Sequence, residues 1–136
     1  MKGRISFILA VGFLILSVLA CAELRKKNAV RESTPDFEVT ADQLAAEYKN
    51  DPSAADSKYG GRTLAITGRV DEKILGSSLV FAGHRQYGFA TQCFFDKGGS
   101  ESYKTAEKGK EITVLGVCMG QKDPEAPLII TQCLVR

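Results

Sequence analysis

This 136-residue chain has one histidine, and after residue 20 it has no second long hydrophobic run. The single imidazole, His84, stands in "AGHRQYG" beside Arg85, and no recognisable motif sets a serine or cysteine nucleophile against it. There is no glycine-rich phosphate loop. The carboxylates Asp71 and Glu72 are adjacent, so on a strand they would point to opposite faces. These absences argue against an enzyme and against a cofactor. A zinc site of His84, Cys93, Cys118 and Cys133 would have four ligands, but no Cys-x-x-Cys pairing is present, so no metal is expected. Net charge is scarce too. The formal charge is +2, but Lys2 and Arg4 account for it, leaving sixteen basic and sixteen acidic residues beyond position 20. A neutral chain lacks the overall electrostatic footprint of a nucleic-acid binder.

What is present begins with the N-terminus. Lys2 and Arg4 precede an uncharged run of about 16 residues from Ile5 to Ala20, shorter than the roughly 20 a membrane span needs. A charged start, an apolar middle and a small residue before the break have the form of a secretory signal peptide. Val18-Leu19-Ala20-Cys21 resembles the lipobox of bacterial lipoproteins. That resemblance implies cleavage before Cys21 and a thioether-linked diacylglycerol on its sulfur, usually with an amide-linked acyl chain such as palmitate. More than one chain makes a stable anchor, because each buried methylene adds about 0.8 kcal/mol. The mature protein is then expected to sit on a membrane without crossing it. Ala22 stands where an aspartate commonly retains lipoproteins in the inner membrane, which points to the outer membrane, facing the periplasm, if the organism has one.

The chain divides into a leader over residues 1–20, a lipidated cysteine with a tether over 21–38 and one domain over 39–136. The tether is polar, and Arg25-Lys26-Lys27 lies where basic charge can add about 1 kcal/mol per residue at an anionic surface. Thr40 with Gln43 forms a capping box for a short helix carrying Leu44 and Tyr48 on one face, ended by Asn50-Asp51-Pro52. A second helical turn is expected from Ser53 as N-cap to the glycines at 60 and 61.

The rest reads as strand and turn. "RTLAITGRV" alternates, with Leu64, Ile66, Gly68 and Val70 on one face. "SSLVFA", "YGFATQCFF", "KEITVLGVCM" and "PLIITQCLV" supply four more strands, with a helical turn between the third and the fourth. That order predicts a mainly β domain, a five-stranded OB-fold Greek-key barrel with a short N-terminal helix.

Leu44 and Tyr48, Ala55-x-x-Lys58-Tyr59-x-Gly61, Thr67-Gly68-x-Val70, Gln92-Cys93-Phe94-Phe95, Gly109-Lys110, Val114-x-Gly116, Cys118 and Cys133 occur in an order that resembles the tRNA_anti-like family of OB-fold lipoproteins. The resemblance implies a fold and an envelope location, and no reaction. The expected function is a lipid-anchored, non-catalytic binding module with an envelope protein, peptide or glycan as partner. The alternative is an OB-fold that binds nucleic acid or another polyanion. That chemistry needs aromatic platforms and basic side chains on the outer face. The pattern leaves Gly88, Ala90, Gln92 and Phe94 outside, with Thr63, Ala65, Thr67 and Arg69 from the first strand, so nucleic acid is an unlikely partner. From Lys58 onward there are eleven basic and eight acidic residues, with Lys97, Lys104, Lys108 and Lys110 around one loop.

Three cysteines remain for the domain. If the last two strands turn through Pro124-Glu125-Ala126-Pro127, Cys118 falls opposite Cys133, within reach of a disulfide. A bridge from Cys93 to Cys133 and three reduced thiols are the other two readings.

Overall fold

The computed structural model describes residues 34–74 and 76–136. The leader, Cys21 and the tether up to residue 33 lie outside the described residues.

The capping box forms as expected. Thr40 Oγ1 accepts from Gln43 N at 3.0 Å, and Gln43 Oε1 accepts from Thr40 N at 3.1 Å. Two donors that helix geometry leaves unpaired are thus satisfied, and α1 (Ala41–Asn50) starts there. Leu44 and Tyr48 are fully buried. The second helix, α2 (Pro52–Tyr59), is capped by Asp51 rather than Ser53, with Asp51 Oδ1 accepting from Ala54 N at 3.1 Å. Pro52 explains the shift, since proline suits the first helical position, where no N–H partner is needed.

Five strands close a barrel. They are β2 (Thr63–Ile74), β3 (Ser78–Phe81), β4 (Thr91–Phe94), β5 (Glu111–Gln121) and β6 (Leu128–Val135), in the order β2-β3-β4-β6-β5 with β5 returning to β2. Two short helices connect them: α3 (His84–Tyr87) follows β3, and α4 (Ser100–Thr105) follows β4. This is the OB-type barrel. Leu64, Ile66 and Val70 from β2 meet Leu79, Phe81, Cys93, Val114 and Ile130 inside it, and α1 and α2 add Leu44, Tyr48 and Tyr59 to the same core.

Strand β2 serves two neighbours. Residues 63–69 pair antiparallel with β5, and beyond a bulge between Val70 and Glu72 the strand pairs with β3. The bulge inserts one residue, so even-numbered positions point inward before it and outward after it. Strand β4 is shorter than its sequence suggests. Residues 84–87 make a helical turn, and Gly88 has a φ of 81°, a left-handed value that glycine takes without strain, so extended pairing begins only at Thr91.

A sixth strand, β1 (Phe37–Thr40), runs parallel to β2, pairing with residues 64–67. Asp36 N donates to Thr63 O at 2.8 Å, and Thr63 N donates to Asp36 Oδ2 at 2.9 Å. The ordered domain therefore takes in residues 36–38, which the sequence reading gave to the tether. Phe37 packs edge-on against Tyr59, ring centroids 5.2 Å apart. The strand covers an edge of β2 that the short β3 does not reach, which removes an exposed row of backbone donors and acceptors.

The hairpin of β5 and β6 corrects the expected cysteine pairing. Its last pair is Gln121 with Leu128, and Cys118 stands opposite Ile130. Cys118 and Cys133 are not bridged; both are buried free thiols. The four-residue turn fails because Asp123 joins it: Asp123 Oδ1 accepts from Glu125 N at 3.1 Å and Ala126 N at 2.9 Å, a local turn that competes with strand pairing. An irregularity between Cys118 and Gly120 shifts the register one residue further, and a second between Leu115 and Val117 shifts it back.

Candidate binding face

The outer surface of β2, β3 and β4 follows from the register. Ile74 pairs with Ser78 and Ser78 with Phe94, making one row; Glu72, Val80 and Gln92 make the next, which continues to Ile129 on β6. Ile74 and Phe94 are 40% and 37% exposed, large values for apolar side chains in strands. Between them Ser78 is buried, and its Oγ accepts from Gln92 Nε2 at 3.2 Å. The face is thus an apolar pair around an amide and a hydroxyl. Its two rows contain one carboxylate, Glu72, and no cation.

Lys73, between the rows, is turned away. Its ammonium donates to Tyr103 O at 3.0 Å and Ala106 O at 2.8 Å, and it lies 4.2 Å from the Tyr103 ring centroid. It ties α4 to the barrel. Lysine cations elsewhere are diluted by acids. Lys104 pairs with Glu101 at 2.9 Å, and Lys108 and Lys110 are flanked in sequence by Glu107 and Glu111.

A second, polar groove crosses the sheet of β1, β2 and β5. One depression of about 390 Å³ is lined by Glu38, Gln43, Thr67, Thr113 and Arg136. Another, of about 420 Å³, begins at Thr67 and is lined by Asp42, Arg69, Gln86 and Glu111. Thr67 and Thr113 satisfy each other through a 2.8 Å hydroxyl contact. Arg69 stands opposite Glu111 in the register of β2 and β5.

The residues singled out from sequence are dispersed. Cys21 lies outside the described residues. Cys118 is buried against Tyr48, whose hydroxyl lies 3.4 Å from its sulfur, and burial pushes its thiol pKa up. Cys133 lies beside Cys93. His84 opens α3. Among the described residues no three His, Cys, Asp or Glu side chains gather as a metal would require. Phe94 is on the outer face as expected, while Gly88 and Ala90 precede the strand. Ile74 was not anticipated, because strict alternation from Val70 would turn it inward.

Folding also redistributes charge. Residues 34–57 hold six acids and one base. Packed as β1, α1 and α2 on the barrel, they outweigh the basic excess counted from Lys58, and residues 34–136 carry twelve basic against fourteen acidic residues.

The barrel and its helices define an OB-type fold. The family model for tRNA_anti-like proteins matches residues 1–134, and the chain belongs to the tRNA_anti-like family. Among solved structures it is similar to a "putative nucleic acid-binding lipoprotein" from Klebsiella pneumoniae subsp. pneumoniae, with 16% sequence identity and a TM-score of 0.58. That likeness covers 80% of this chain and 96% of the other, and at this identity it speaks for the fold. No curated protein matches the chain.

Proposed function

We propose that the chain is a lipid-anchored, non-catalytic binding module of the bacterial cell envelope. It is held at a membrane through Cys21 and presents the β2–β3–β4 face to an envelope protein, peptide or glycan. The observation that carries this reading is the chemistry of that face, where Ile74 and Phe94 flank Gln92 and Ser78 without a cation. An apolar pair beside an amide suits an uncharged partner, since apolar area gives affinity and the amide gives orientation. Charge along the chain supports the anchor: residues 21–33 hold four bases and two acids, next to the lipobox, while the domain beyond them is acidic. Ala22 in place of aspartate favours the outer membrane, facing the periplasm.

The name of the similar Klebsiella structure favours a second reading, nucleic-acid binding. That activity would need cations to replace the counterions of the phosphates. Phe94 is the sole aromatic in the two outer rows, and stacking platforms normally use several rings. Titration of a labelled single-stranded oligonucleotide at about 0.15 M salt separates the two. Binding no tighter than tens of micromolar is expected, and a submicromolar affinity that falls steeply with salt would establish the second reading instead.

A further inference from the structure

Cys93 and Cys133 are about 40 residues apart in sequence and neighbours in the barrel. Cys93 pairs with Ile130 in the parallel seam of β4 and β6. Cys133 Sγ turns back to within 3.5 Å of the Ile130 carbonyl oxygen. Regular strand geometry would not put it there. Gln132, just before it, has a φ of 54°, and this break carries Cys133 into the core beside Cys93. The two thiols then meet: after burial, hydrogen bonding with Cys133 is the next cause that holds the proton on Cys93.

The surroundings are built around this pair. Both side chains are fully buried. A Cβ at Gly116 would lie 3.0 Å from Cys133 Sγ, and one at Gly99 would collide with Cys133 O. Glycine at both positions gives the cysteine its place. Cys118 is held apart, against Tyr48.

We propose that Cys93 and Cys133 are a paired redox site, joined as a disulfide that locks β4 to β6 when the chain folds in the presence of a disulfide oxidant. One thiolate attacks the oxidant's disulfide, forming a mixed disulfide and releasing one thiol of the oxidant. The second thiolate attacks the mixed disulfide at the protein sulfur and releases the other. Two protein thiols are oxidised, one disulfide of the oxidant is reduced to two thiols, and the two protons go to those leaving groups. Because the folded core buries both sulfurs out of contact with solvent, the exchange takes place while β6 is still undocked. The bridge crosses the one parallel seam of the barrel itself, where no short turn holds the strands together.

The test uses the full chain in detergent, refolded from urea with a mixture of oxidised and reduced glutathione, then alkylated and mapped without reduction. A linked pair of fragments containing Cys93 and Cys133, with Cys118 alkylated, is expected. A link through Cys118 or Cys21, or three alkylated domain cysteines, overturns the proposal. The oxidised protein is further expected to unfold about 2 M higher in urea than the reduced one. Cys118→Ser should keep that difference, and Cys93→Ala should abolish it. An equal difference in Cys93→Ala would contradict the assignment.

Discussion

The Tyr48 hydroxyl donates a 2.8 Å hydrogen bond to Asp56 Oδ1, joining the last turn of α1 to the middle of α2. The same oxygen meets Cys118 Sγ at 3.4 Å, so one phenol links both helices to β5. Its ring stacks on Tyr59, centroids 6.5 Å apart. Tyr48→Phe keeps the ring and removes the hydroxyl. The expected cost is about 1 kcal/mol, a typical net value for one hydrogen bond. Urea unfolding of the two proteins checks it. Equal stability would mean that packing alone holds the helices.

Alkaline pH is expected to destabilise the domain before it affects an ordinary surface. Burial is the first cause that raises the pKa of Tyr48, Tyr59, Cys93 and Cys118. In the unfolded chain thiols lose protons near pH 8.5 and phenols near pH 10. The folded state keeps these protons to higher pH, so the unfolded state binds fewer protons and stability falls as pH rises above about 8.5. Below that value the contribution is fully present. Each group gives a limiting slope of about 1.4 kcal/mol per pH unit. Unfolding free energies measured under reducing conditions at pH 7.5, 9 and 10.5 should therefore descend. In Tyr48→Phe the fall above pH 10 should be shallower, and a flat profile would contradict the buried, protonated state of these groups.

Membrane attachment has its own test. If Cys21 carries the lipid, the mature protein partitions into a detergent phase and Cys21→Ser moves it to the aqueous phase. A mature chain that begins elsewhere and has unmodified mass would refute the anchor.

Much of this architecture is legible in local sequence. Thr40 and Gln43 announce α1, and inward residues such as Leu64, Ile66 and Val70 announce β2, because capping and alternation act over a few residues. What escapes depends on distant partners. The four residues of β1 pair in parallel with a segment 27 positions further on, so no turn signal marks them. A bulge is equally silent. The extra residue between Val70 and Glu72 reverses the faces of β2 and brings Ile74 out onto the face of Phe94, across Ser78. On β6 the hairpin register takes Cys133 away from Cys118, and the break at Gln132 turns it toward Cys93 on β4. Half of the candidate face, Phe94 and Gln92, could be read from alternation, and the other half could not.

The face itself is best tested by placing a photo-crosslinking amino acid at position 94 in the full chain expressed in bacterial cells, with position 108 as an exposed control on another part of the surface. The binding-module account predicts a discrete protein or glycan adduct on irradiation at position 94 and none at 108. Adducts to nucleic acid at position 94, or no adduct beyond the level at 108, would contradict it.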